Sequence, residues 1–261
     1  MRLRLLQKRL PTWFVPSFFF VGTLLLVIFN DALGDDDTFI VFGLFFFLVM
    51  GLVFLRWLFL QIRLILNLKK EKKQTELLHL KSQVNPHFFF NTLNNLYGLV
   101  GQDTKKAQEL ILKLSEMMRY SIYEGQHDWV PLVEEIDYLN NYIELHRMRY
   151  HKTIEVQFNI SVEDEKVKVM PLLFIILLEN AFKHGVENLR KSAYIHLELR
   201  ATKKRLDFEI ENNFDPSELQ SSQGIGLKNL QRRLDLVYPN KHQFTTNLVD
   251  HSFRAKLSLQ L

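Results

Sequence analysis

Gln83-Val84-Asn85-Pro86-His87-Phe88-Phe89-Phe90-Asn91 sets one histidine directly after a proline and among phenylalanines, on what otherwise reads as a long helix. A buried structural histidine needs no such punctuation. A histidine presented to an incoming reactive group gains from it. The stretch also divides the chain, with long apolar runs before it and mixed helix and strand patterns after it. Its meaning depends on two later segments, Leu178-Glu-Asn-Ala-Phe-Lys-His-Gly185 and Gly224-Ile-Gly-Leu-Lys-Asn-Leu230. Together the three have the parts of a phosphoryl-transfer enzyme.

Upstream, the 22 phenylalanines of this 261-residue chain are concentrated before residue 60. Pro11 to Asn30 carries no charge, and Thr38 to Leu60 carries only Arg56 near its end. Each run can cross a hydrocarbon core of about 30 Å at about 1.5 Å per residue. Two buried soluble helices are the alternative, but charge-free runs of this length are rare in soluble cores. A cleaved signal peptide fits poorly, because no small-x-small site follows and a second span comes after a short acidic loop. Arg2, Arg4, Lys8 and Arg9 precede the first run, and Arg63, Lys69, Lys70, Lys72 and Lys73 follow the second. Asp31, Asp35, Asp36 and Asp37 lie between them. This positive-inside bias predicts two transmembrane helices with both termini in the cytoplasm. The loop outside is too short for a folded ligand-binding domain.

The chain has no cysteine, which excludes disulfides, thiolate nucleophiles and cysteine-based zinc sites. Its formal charge of +4 is modest, and the basic runs flank apolar segments. That pattern is membrane-side charge and argues against a nucleic-acid footprint.

Downstream of the membrane, the pattern stays helical from Ile62 to Leu96, with Leu64, Leu68, Leu78 and Val84 on one stripe that a lone helix could not bury. Gly98 and Gly101 punctuate its end. A second amphipathic helix, Thr104 to Tyr123, carries Leu110, Leu114, Met117, Met118 and Ile122, so the two predict a helical hairpin that forms a four-helix bundle in a dimer. Leu132 to Arg149 reads as a helix, acidic first and basic last as its dipole favours. Ile154, Val156, Phe158 and Ile160 alternate as a half-buried strand. Pro171 is expected to start an apolar helix through His184. Strands follow at Tyr194 to Arg200 and Leu206 to Glu211, then a polar loop from Asn212 to Gln223. The glycine pair opens a helix to Val237, and Phe244 to Val249 with Phe253 to Leu259 ends the chain as a hairpin. The fold class is therefore a membrane-anchored α plus α+β chain in three parts. Residues 1–62 are a two-span anchor, 63–127 a helical dimerisation and phosphoacceptor region, and 128–261 an α/β-sandwich domain.

Glu179, Asn180, Lys183 and His184 share one side of a greasy helix, since their spacing is i, i+1, i+4, i+5. They read either as that helix's solvated face or as a site. In the second reading Asn180 offers an amide oxygen to Mg²⁺, Lys183 and His184 face phosphate oxygens, and Glu179 orients or deprotonates an attacking group. A hard cation shared with phosphates needs few protein ligands. Gly224 and Gly226 at a helix start let backbone N–H groups meet an anion, though they match neither the P-loop nor the dinucleotide fingerprint. The long polar segment before them suits a lid. His87 is the candidate nucleophile, because neutral imidazole attacks competently near pH 7 and a phosphoryl group needs positioning above all. His79 and His127 read as solvated surface residues. A metal site from His79 and His87 lacks a carboxylate partner.

These three segments, in this order and after transmembrane helices, resemble the LytS-like sensor histidine kinases, whose ATP-binding domain is of the GHKL type. The resemblance runs from about Leu80 to Tyr238 and includes Leu114-Ser-Glu-Met-Met-Arg-Tyr120 and Val130-Pro-Leu-Val-Glu-Glu-Ile-Asp-Tyr-Leu-Asn-Asn-Tyr-Ile-Glu144. It implies a homodimer that uses Mg²⁺ and ATP to phosphorylate His87. Glu179 is then the assisting base and Asn180 the metal ligand. Lys183, His184, Asn212, Gly224, Gly226 and Leu227 contact nucleotide. The phosphoryl group passes to an aspartate of a response regulator, often one with a LytTR DNA-binding domain, and the kinase itself touches no nucleic acid. The implied location is a bacterial cytoplasmic membrane. Two departures stand out. Glu211-Asn212-Asn213 stands where many members carry Asp-Asn-Gly, so Asn212 is the nearest equivalent of the aspartate that reads the adenine amino group, with Glu211 as the second candidate. The lid also has a sparser glycine run. The first departure motivates a second hypothesis, an ATP-binding pseudokinase or scaffold acting through a partner. A transporter or channel is disfavoured, with two spans and no internal charge.

Overall fold

The computed structural model describes residues 14–33, 37–81, 86–149, 154–186, 189, 192–216 and 224–261. The chain divides into two compact units, 1–74 and 75–261.

In the first unit, α1 (Phe14–Leu33) is followed by α2 (Asp37–Lys81), one unbroken helix of 45 residues that continues into the second unit. A ring contact between Phe19 and Phe54, with centroids 6.4 Å apart, joins the two helices. Gly22 lets Phe46 come close, because a Cβ there would stand 2.6 Å from the ring. By length and composition, one helix among the described residues can cross a membrane, over Asp37–Leu78. A shorter apolar helix covers Pro16–Phe29.

The second unit begins with the end of α2 and the hairpin of α3 (Pro86–Val100) and α4 (Thr104–Ile122). The single helix expected from Ile62 to Leu96 is therefore two elements. Proline at the first position of α3 fits there because that N–H has no intrahelical acceptor to lose. Residues 82–85, including most of the segment before His87, lie outside the described residues. Asp103 caps α4 by accepting from the Lys106 N–H at 3.1 Å. Ala107, Leu110, Leu114 and Met117 form its buried stripe.

Next come a short 3₁₀ turn (Glu124–Gln126), β1 (Val130–Pro131), α5 (Leu132–Arg149), β2 (Ile154–Val162) and β3 (Lys168–Val169). After them stand α6 (Ile175–Asn180), a π-helical turn (Ala181–Val186), β4 (Ala193–Ala201) and β5 (Arg205–Asn213). The chain closes with α7 (Ile225–Val237), β6 (His242–Val249) and β7 (Ser252–Gln260). β1 pairs with β3, and the main sheet runs β2-β4-β5-β7-β6 with only β2 and β4 parallel.

One face of that sheet is the core. Ile195, Leu197 and Leu199 alternate with half-exposed or exposed residues on β4, as Leu206, Phe208 and Ile210 do on β5 and Ala255, Leu257 and Leu259 on β7. Phe208 packs its ring 4.8 Å from Phe174, and both are fully buried, a contribution of about 1.5–3 kcal/mol each. The opposite face is an ion-pair ladder in which Glu209 and Glu211 meet their register partners Lys256 and Arg254.

Two expected boundaries moved. The helix expected from Pro171 starts at Ile175, because Leu172 takes a left-handed φ of 55° and the preceding residues form a turn. Asn212 and Asn213, expected in the polar loop, end β5, and residues 217–223 of that loop lie outside the described residues.

Candidate active site

β5 buries every second side chain, Leu206, Phe208 and Ile210, and the next in that series is Asn212. The strand period thus carries a polar amide, 2% exposed, to the inner face at the end of the sheet. Asn212 Nδ2 donates to Asn213 O at 3.0 Å, and Asn212 Oδ1 has no hydrogen-bond partner among the described residues. A buried carbonyl oxygen left unmet is unfavourable by about 1–3 kcal/mol, so this atom is poised for a donor. Gly185 lies over it. A Cβ at Gly185 would stand 2.0 Å from Asn212 Nδ2 and 3.0 Å from Asn213 O, so only glycine lets the π-helical turn approach β5 this closely.

That turn continues α6, whose last residues are Glu179 and Asn180. Both are half-buried, and Lys183 and His184 on the turn are exposed. Burial pushes the Glu179 carboxyl up to about 7, with Lys183 pulling it down against that trend. A carboxylate titrating near neutrality matches what a general base needs. Among the described residues no group of three carboxylate or imidazole side chains could hold a metal. The donor set suits Mg²⁺ carried mainly by phosphate oxygens with one amide oxygen, that of Asn180.

Gly224 is the N-cap of α7 and supplies no side-chain cap, so the first N–H groups of that helix are not capped from within it. Leu227 anchors the helix start in the core, at 5% exposure, while Gly224 and Gly226 are exposed. Ile176 of α6 lies 3.8 Å from where a Cβ of Gly226 would stand, so α6 and the start of α7 face each other. The structure thus brings Glu179, Asn180, Asn212 and the α7 start to neighbouring elements around α6.

His87 occupies the first turn of α3, next to Phe88. Phe88 stacks on Tyr142 at 4.6 Å and on His146 at 5.4 Å, and His146 stacks on Phe182 of the π-helical turn at 4.1 Å. An aromatic column therefore runs from the residue beside His87 to the helix that carries Glu179. His127 is exposed and pairs with Glu124 at 2.8 Å.

Sequence reading missed a buried pair. Glu135 on α5 accepts from the Leu172 N–H at 2.6 Å, the Leu173 N–H at 3.1 Å and the Tyr120 hydroxyl at 2.7 Å. Arg233 on α7 donates to the Leu172 and Pro171 carbonyls, both at 2.9 Å. Burial raises the Glu135 carboxyl against the pull of its hydrogen bonds, and it pushes Arg233 down to about 10. The available signal was phase: Glu135 and His146 interrupt the apolar stripe Leu132, Ile136, Leu139, Tyr142, Ile143 of α5. Arg233 stands three residues after buried Leu230.

A profile of the histidine kinase family matches residues 75–154. The sensor protein LytS of Staphylococcus haemolyticus is 30% identical over 182 residues, covering 65% of this chain and 31% of that protein. The sensor histidine kinase BtsS of Escherichia coli is 29% identical over 164 residues, covering 62% of this chain and 29% of that protein. The chain spans about a third of the length of the curated relatives it matches. Among solved structures, the histidine kinase domain of a blue-light activated kinase from Erythrobacter litoralis aligns over 72% of this chain and 95% of its own. Its TM-score is 0.41 and its identity 13%.

Proposed function

We propose that this chain, which is similar to the LytS-like sensor histidine kinases, uses ATP to phosphorylate His87 and passes the phosphoryl group to an aspartate of a response regulator. The observation that carries this reading is the buried Asn212 Oδ1 beneath Gly185, which has no hydrogen-bond partner among the described residues and lies one helix away from Glu179 and Asn180. An exocyclic amine, such as that of adenine, supplies the donor this atom lacks.

In the proposed reaction Asn212 accepts from the adenine amino group. The α7 start at Gly224, Gly226 and Leu227 receives phosphate oxygens on its N–H groups. Lys183 and His184 offer further positive or donor groups to phosphate. Mg²⁺, held by Asn180 Oδ1 and the phosphates, would neutralise charge on the departing ADP. An imidazole nitrogen of His87 attacks the γ-phosphorus. A P–N bond forms, the bond to the β,γ-bridging oxygen breaks, and that oxygen leaves with the electron pair. Glu179 takes the imidazole proton, and its elevated pKa suits that role. A carboxylate oxygen of the partner then attacks the phosphorus of phosphohistidine, the P–N bond breaks, and the imidazole leaves with that electron pair and regains its proton.

The remaining organisation is part of the same proposal. Residues 1–62 anchor the chain through two spans with both termini cytoplasmic, 63–127 dimerise and carry His87, and 128–261 bind nucleotide. The exposed apolar residues Phe90, Leu93 and Val100 on α3 and Ile111, Met118 and Ile122 on α4 support a homodimeric bundle. A LytTR-type regulator is the proposed partner.

The test is incubation of the full chain, in detergent or vesicles, with γ-labelled ATP. Acid-labile label that disappears in His87→Gln is the expected result. Nucleotide binding without label favours the second reading, a pseudokinase. The neutral amide of Asn212, in place of the family's carboxylate, is what speaks for that alternative.

A further inference from the structure

Leu172 holds a left-handed φ of 55°, which for a residue with a branched side chain is unfavourable by about 1–2 kcal/mol. Such a conformation persists only where its surroundings over-determine it. Here they do so completely. The N–H groups of Leu172 and Leu173 both point to the Glu135 carboxylate, and the carbonyls of Pro171 and Leu172 both receive the Arg233 guanidinium. Glu135 and Arg233 are 1% and 3% exposed. One bidentate acceptor and one forked donor therefore grip a single turn from opposite sides.

The position of that turn gives the grip its consequence. It opens directly into α6, which ends in Glu179 and Asn180. Arg233 rides on α7, two turns beyond the glycine start of that helix. Tyr120, from the α3–α4 hairpin, donates its hydroxyl to Glu135 Oε1, the same oxygen that accepts from Leu172. The clamp thus joins the helix bearing Asn180, the helix start facing phosphate and the hairpin bearing His87.

We infer that Glu135 and Arg233 are positioning residues that fix Asn180 relative to the α7 start, and that Tyr120 sets the Glu135 carboxylate from the hairpin. Buried ionic pairs of this kind often add little net stability, yet they specify one geometry over its neighbours. The inference rests on the reading of Asn180 as the Mg²⁺ ligand.

The experiment measures autophosphorylation of the full chain against ATP and Mg²⁺ concentration. Its variants are Arg233→Lys, Tyr120→Phe and, as reference, Asn180→Ala. Lysine keeps the charge but is a point donor and cannot reproduce the fork. A positioning role predicts that Arg233→Lys raises half-saturating Mg²⁺ by about tenfold while kcat falls less. Tyr120→Phe leaves the turn and the charges untouched and should move the same constant in the same direction by about threefold. A loss of kcat in proportion to the folded fraction, with half-saturating Mg²⁺ unchanged in both variants, overturns the inference. If Arg233→Lys does not fold, Tyr120→Phe alone decides. If Asn180→Ala leaves the Mg²⁺ dependence intact, the assignment of Asn180 fails. The clamp is then judged by hydrogen exchange at the Leu172 and Leu173 amides, which must quicken in Glu135→Gln if Glu135 holds them.

Discussion

Gly185 and Asn212 show how tightly a single position can be specified. An added methyl at Gly185 meets a buried amide that is already hydrogen-bonded and a backbone carbonyl, and neither can retreat freely. Gly185→Ala is expected to lower stability by about 1–3 kcal/mol and to weaken ATP binding, as read by denaturant unfolding and nucleotide titration. Asn212→Asp should also destabilise the chain. It replaces the Nδ2 donor with an oxygen facing Asn213 O. Glu179 sets a pH dependence. Its folded pKa is raised from 4.5 to about 7, so between those values the folded chain holds more protons than the unfolded one. Its contribution to stability therefore falls as pH rises through that window. Glu179→Gln should flatten that slope. It should also remove the rise in labelling rate near pH 7 and slow labelling by about 10²-fold. At this scale much was legible. Asn180 and Glu179 stand together on one helical face, whereas Asn212 was expected in the polar loop and reaches the inner face only because β5 extends past Glu211. The role of Gly185 was not legible, because it depends on a strand that arrives from further along the chain.

At the scale of elements, two adjacent arginines on α7 have opposite fates. Arg232 makes an exposed bidentate pair with Glu76 on α2, at 2.6 and 3.0 Å, and exposed pairs contribute little. Arg232→Ala should leave the unfolding midpoint in place, whereas Arg233→Ala takes the buried guanidinium from the Pro171 and Leu172 carbonyls and should be destabilising by about 1–3 kcal/mol. Urea melts of the two variants check this directly. Phe88→Ala should remove the stack on Tyr142 and His146 and lower stability by about 3–5 kcal/mol, measured in the same way. Helices 104–122 and 132–149 matched their sequence patterns closely, because their apolar stripes are local, even though Glu135 and His146 interrupt the second. The start of α6 did not. Its first turn is dictated by Glu135 and Arg233, 37 and 61 residues away from Leu172, and no local periodicity records such partners. The small β1–β3 ladder, of two residues per strand, escaped for a similar reason.

For the whole molecule, exposed apolar side chains on the hairpin bear on the proposed dimer. Leu93 is 45% exposed and Val100 53% on α3, with Ile122 at 50% on α4, so the hairpin carries apolar surface that water does not favour. If this surface is the dimer contact, Leu93→Arg should convert a dimer into a monomer in sedimentation of the detergent-solubilised chain. An unchanged mass would exclude Leu93 from the contact. The α/β sheet domain and the α3–α4 hairpin were legible from pattern, while the parallel pairing of β2 with β4 was not, since strand order is set by packing between distant segments. One further consequence concerns α2. Its apolar run from Thr38 to Leu60 is about 34 Å long at about 1.5 Å per residue, slightly more than a hydrocarbon core of about 30 Å. Placed across a bilayer, such a helix answers a change in lipid thickness by tilting.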